Sequence, residues 1–313
     1  MTTTRNRWLR RLTATKHRTR RTNKRRDFIR PLFEQLECRR VLATFNLVAG
    51  IADGSPGSLR DAIAQSNLTP EADTIYLASG VYSVNLAGSD ENAAADGDLD
   101  VDGSISINGV GAGSTTIDAT GLDERLLNVL FGATLELTDL TLTNASQGAI
   151  QNGGTVTLTN CIISQSGNST TNMTGGGISN NGELNILNST IANNTAVLGA
   201  GIQHWSGNLT ITNSQIINNE AVAYTFGGGG AGGGLRTHGN TIIRNSFIAD
   251  NVAADDGGGI SSFSSATIDI ADTSIHNNAS GRLGGGITSL GKLVLNRVEV
   301  SSNRTGDRGG GLF

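Results

Sequence analysis

Aromatic residues make up only 4% of the 313 residues, and there are two cysteines. With so few rings to bury, a folded core must be thin and aliphatic. Cys38 and Cys161 lie in different segments, so no disulfide framework holds the chain. No apolar run is long enough for a secretory hydrophobic region or a membrane-spanning helix. Basic residues are scarce except at the start. Residues 1–43 hold 14 Lys and Arg against 3 Asp and Glu, net +11, and the remainder holds 9 against 24, net −15. The acidic body excludes nucleic acid as its ligand, because phosphate binding needs clustered Lys and Arg. The basic tail, nearly free of apolar residues to Arg30, reads as a disordered leader. Contact with nucleic acid or an anionic membrane is its alternative role.

What the chain has in abundance is glycine, 43 residues, much of it in a repeat. The stretch 175–196, GGGISNNGELNILNSTIANNTA, recurs. Ile178, Ile202, Leu235, Ile260, Ile287 and Leu312 form one column. Ile186, Ile211, Ile243, Ile270 and Leu295 form a second. Ile191, Ile216, Ile248, Ile275 and Val300 form a third. Weaker copies use Ile150, Val156, Leu158 and Ile163, and before them Leu135, Leu137 and Leu142. Within a copy apolar residues alternate, as in Leu184-Asn185-Ile186, which specifies short strands with one buried face. One copy cannot bury that face alone, whereas stacked copies make continuous buried files. Spacings of 24 to 27 residues suit a coil of three short strands and three turns. The expected fold is all-β: a right-handed parallel β-helix with rungs about 4.8 Å apart. Asn160, Asn188, Asn213 and Asn245, followed by Asp272 and Arg297, form one turn column. Asn194, Asn219, Asn251, Asn278 and Asn303 form another. Asn accepts left-handed turn backbone, and stacked amides can bond as a ladder. Cys161 falls in the column of Ser189, Ser214 and Ser246 and reads as a small packed thiol.

Three segments follow: 1–43, a basic leader; 44–125, a cap with entry rungs; and 126–313, regular rungs. In the first, Leu36-Glu37-Cys38-Arg39-Arg40-Val41-Leu42 resembles the LEPR-XLL motif, with Cys38 in place of Pro and Val41 in place of Leu. That resemblance implies export or surface sorting. In the second, Gly57-Ser58-Leu59-Arg60-Asp61-Ala62-Ile63-Ala64-Gln65-Ser66-Asn67 carries a further resemblance, with Ala72 to Leu77 and Gly80 to Tyr82. These residues are similar to the entry segment of polymorphic outer-membrane-protein and related pectate-lyase-like β-helix families. Independently, Ser58 and Asp61 predict a capped helix start, and Leu59, Ala62, Ile63 and Ser66 share one face. Such a helix would cover the open end of the first rung. The sequence stops at Gly309 to Phe313, the first strand of another rung. An uncovered edge there invites association with another chain.

Candidate chemistry is sparse. Asp98, Asp100 and Asp102 before Gly103 copy half of a calcium loop, but Gly109 stands where a bidentate carboxylate belongs. Leu99 and Val101 alternate with them, so an outward-facing polar strand is the simpler reading, with Ca²⁺ as the alternative. Asp255, Arg282 and Asp307 align on successive rungs, flanked by Asp256 and Arg308. They predict a surface ion-pair ladder, or, if a groove exists, a catalytic cluster. No long loop is expected beside that turn. Trp205, Tyr224 and Phe226 lie in or beside inserted loops, including 221–233. There they either anchor the insert or stack against a sugar. His204, His238 and His276 fall in different columns. The residues favour a surface-associated, non-catalytic stalk or adhesin-like binding surface, secreted or on the cell surface, for polysaccharide or another surface protein. The alternative is a polysaccharide lyase or glycoside hydrolase.

Overall fold

The computed structural model describes residues 42–88, 93–167, 174–224 and 228–313. The leader, with Cys38 and the motif at 36–41, lies outside them. The chain folds as a right-handed parallel β-helix. Sheet 1 has eight strands, from Leu99–Val101 to Ile287–Ser289. Sheet 2 has ten, from Thr44–Leu47 to Lys292–Asn296. Sheet 3 has nine, from Gly80–Ser83 to Glu299–Ser301. Ile178, Ile202, Leu235, Ile260 and Ile287 pair in parallel register and are fully buried. Burying each such side chain contributes roughly 1.5–3 kcal/mol.

The coil has one more strand than the spacing predicts. From residue 195 onward a five-stranded sheet 4 appears, from Thr195–Ala196 to Arg304–Thr305. Its strands are only two residues long, too short to show alternation.

The turns explain the glycines and asparagines. The first glycine of each triplet, such as Gly257 at φ 63°, takes left-handed backbone. The third must have no side chain, since a Cβ on Gly259 would sit 2.6 Å from Gly286 O on the next rung. The first asparagine column is left-handed as expected, from Asn160 at φ 54° to Arg297 at φ 54°. In the second column the left-handed residue is instead the one before, such as Asn193, Asn218 and Asn277. Asn194, Asn219, Asn251 and Asn278 are therefore buried inside the turn, each donating Nδ2 to the next Oδ1 at 2.9–3.0 Å. Cys161 is likewise buried, its Sγ directed at Leu137 O, and burial pushes its thiol up to about 11.

Helix α1, Leu59–Ser66, starts at Ser58, whose hydroxyl accepts from Asp61 N at 3.2 Å. It covers the entry rungs, and its Arg60 is buried there. Arg60 pairs with Asp53 at 2.9 Å, the two side chains being 2% and 3% exposed. Asp53 also accepts from Asn85 N and Leu86 N, each at 2.8 Å.

The strand Leu99–Val101 keeps the expected alternation but not the expected exposure. Asp100, between the core residues Leu99 and Val101, is itself fully buried. Asn128 Nδ2 donates to it at 2.8 Å and Ala94 N at 3.2 Å. Asp102 is exposed, and its backbone N–H bonds Asn67 Oδ1. Among the described residues no three or more His, Cys, Asp and Glu are grouped as metal ligands.

Candidate functional site

The middle residue of each sheet 1 strand points away from the core, so one file runs Ser179, Gln203, Arg236, Ser261, Thr288 along the coil. The residue after each strand begins the turn toward sheet 2. Register makes these residues a second file: Asn181, Trp205, His238, Phe263, Leu290. Three of its five members are aromatic rings, in a chain with few. His238 stacks on Phe263, centroids 3.8 Å apart, and Trp205 lies 5.0 Å from His238 at a tilt of 31°.

The other wall is the turn from sheet 4 into sheet 1. Here the expectation of no flanking loop fails. Within the 221–233 insert, Gly230 O accepts from Asp255 N at 2.8 Å, and Gly232 N donates to Asp256 O at 2.9 Å. Between the two walls lies a cleft of about 450 Å³. Tyr224 and Gly229 line it from the insert, Asp255 and Asp256 from the turn, and Arg236 and Phe263 from the sheet side. The insert supplies relief that regular rungs lack, which is why the cleft sits here.

The polar groups of this region are unevenly paired. Arg282 Nε bonds Asp255 at 2.6 Å and its Nη2 bonds Asp256 at 2.5 Å. The half of the predicted ladder between Asp255 and Arg282 therefore forms. Asp307 instead lies 3.6 Å from Arg308, both well exposed. Asp256 Oδ1 is buried without a partner among the described residues, and so are Arg236 Nε, His238 Nε2 and Gln203 Nε2. Burial, and the nearby Asp255 charge, push the Asp256 carboxyl up against the pull of Arg282. Burial brings Arg236 down to about 10. Burial, then the charges of Arg236 and His204, lowers His238. His204 is fully buried beside it, its Nδ1 2.9 Å from Asn180 Nδ2.

Of the sequence candidates, the structure brings Asp255, Asp256 and Tyr224 to the cleft, pairs Arg282 with both carboxylates, and sets Trp205 at the far end of the aromatic file that closes on Phe263. Phe226 lies outside the described residues. Asp98, Asp100 and Asp102 are on the entry rungs. Arg236, His238, Phe263 and Gln203 were not singled out by sequence. One signal would have found two of them: the column one position after each strand holds His238 and Phe263 beside Trp205.

The sequence matches no protein-family model and no curated protein. Among solved structures it is similar to a PL6-family alginate lyase at 13% identity and TM-score 0.46, over 88% of this chain and 40% of that one. It is also similar to pectate lyase Pel9A at 14% and 0.44, over 87% and 78%. A third is pectin methylesterase PemA from Erwinia chrysanthemi, at 12% and 0.42, over 78% and 82%. The likeness is one of fold.

Proposed function

We propose that the chain is an exported, surface-associated β-helix that binds a polysaccharide in the cleft beside its insert, without cleaving it. The observation that carries this reading is a cleft lined by Phe263, Tyr224 and Arg236, with Phe263 closing the aromatic file Trp205–His238–Phe263 held by strand register. Sugars offer apolar ring faces and a rim of hydroxyls, so they suit a site with stacked rings and a few polar groups. The test is affinity electrophoresis of the full chain through gels containing polysaccharides. Retardation that Phe263→Ala abolishes, with the fold intact, supports the reading. Identical mobility in every gel refutes it.

A second reading, cleavage of the bound chain, is favoured by one observation. Asp256, with its carboxyl raised, and Arg236, brought low, line the same cleft as a candidate proton-transfer pair. New reducing ends or an unsaturated uronate product would replace the first reading with this one. Export is part of the proposal on the strength of the basic leader and the residues at 36–42; cell fractionation with N-terminal sequencing tests it.

A further inference from the structure

Among the described residues, nothing around Arg236 neutralises its charge. Its guanidinium lies over Phe263, 4.3 Å from the ring centroid. The ring attracts the cation and holds its plane, with Arg236 lining the cleft and Nη2 left for an in-plane bond. One such bond runs from Nη1 to the neutral Gln203 Oε1 at 3.3 Å. Nε is buried and has no partner among the described residues. No charged neighbour offsets the burial, which alone accounts for the fall in Arg236 basicity. Two carboxylates line the same cleft, but Arg282 engages both. Withdrawing a cation from water with no anion beside it costs free energy, so proteins pair buried charges. Gln203 sits beside Arg236 in register, is fully buried, and leaves Nε2 without a partner. Two neighbouring donors are thus held out of bulk water, on a body whose net charge is −15.

We propose that the cleft takes an anionic sugar residue, its carboxylate or sulfate ester paired with the guanidinium of Arg236 and its ring between Phe263 and Tyr224, which line the cleft. This rests on the polysaccharide reading above and narrows it to acidic polymers. Arg236 forms the charge-assisted bonds, since a guanidinium edge matches the paired oxygens of either anion. Arg282 keeps the two rim carboxylates from repelling the incoming anion. An acidic protein thereby selects a ligand of its own charge sign by one local cation.

The experiment is titration calorimetry of the full chain with polygalacturonate, dextran sulfate and uncharged dextran, at low and moderate salt. One or both anionic chains are expected to bind more tightly than dextran, with affinity falling as salt rises. The better of the two identifies the anion as carboxylate or sulfate. Arg236→Gln is expected to weaken that binding roughly 10- to 100-fold, the worth of a charge-assisted bond. Arg236→Lys, which keeps charge but loses the flat edge, should recover only part of it. Circular dichroism and melting temperature report that both variants are folded. If Arg236→Gln and the unaltered chain bind the acidic polymers equally, the inference falls and the polysaccharide reading stands. If the folded protein binds none of the three, the polysaccharide reading falls and the inference goes with it.

Discussion

The asparagine turn and the cleft both hold buried polar atoms and treat them in opposite ways. In the turn, Asn194, Asn219, Asn251 and Asn278 each donate onward to the next rung, and none of their amide atoms is without a partner. Along the cleft and the strand beside it, Gln203, Arg236, His238 and Asp256 each have an atom with none. The ladder repeats with the coil, while the cleft occurs where the insert departs from it. A closed ladder holds the rungs together, whereas the cleft region carries polar atoms left unpaired among the described residues.

That contrast can be broken at its satisfied end. Asp53→Ala leaves the buried Arg60 without its anion and is expected to destabilise the chain by about 4 kcal/mol, read as a lower urea midpoint. Asn251→Ala should follow at about 3 kcal/mol, because Asn219, Asn278 and Ile216 O lose buried partners together. Neither change should alter polysaccharide binding. If Asn251→Ala costs nothing measurable, the ladder is not what joins the rungs.

pH separates the two regions by sign. Burial raises the Asp53 carboxyl, but Arg60 and the two backbone N–H groups outweigh it and hold it below 3.8. Its contribution is present above that value and is lost as pH falls through the lower folded pKa. The stability gap between the native chain and Asp53→Asn should therefore narrow in acid. Asp256 runs the other way, with its folded pKa above 3.8. The folded state gains from protonating it, and that gain disappears as pH rises through the raised value. Asp256→Asn should slightly raise the urea midpoint at neutral pH and leave it unchanged in strong acid. A lowered midpoint would return Asp256 to the scaffold. Phe263→Ala should shift stability little but weaken binding roughly tenfold, since it removes one stacking face. Smallest of all, Arg297→Ala should leave the midpoint where it is, because its pair with Asp272 is fully solvated.

The sequence made the scaffold legible because burial in a stack repeats: Ile178, Ile202 and Leu235 announce one interior file, and Ser58 announces a helix start. It hid sheet 4, whose two-residue strands such as Thr195–Ala196 carry no period. It hid the burial of Asp100, since Leu-Asp-Val alternates whether or not the middle carboxylate is covered and finds an Asn128 to bond. The cleft was half visible. Trp205 and the 221–233 insert stood out by composition. Arg236 and Phe263 are unremarkable in one dimension and acquire meaning only when register lays Phe263 beside His238 and beneath Arg236.

The insert also leaves its neighbours undisturbed. Ile178 meets Ile202 across 24 residues, and Ile202 meets Leu235 across 33, yet both contacts fall in the same register. Extra residues leave the coil at a corner and return to the same corner, so the frame does not measure how far they wander. Recognition in this architecture is modular: a new excursion can be spliced at any rung, and the rods above and below it keep their pitch.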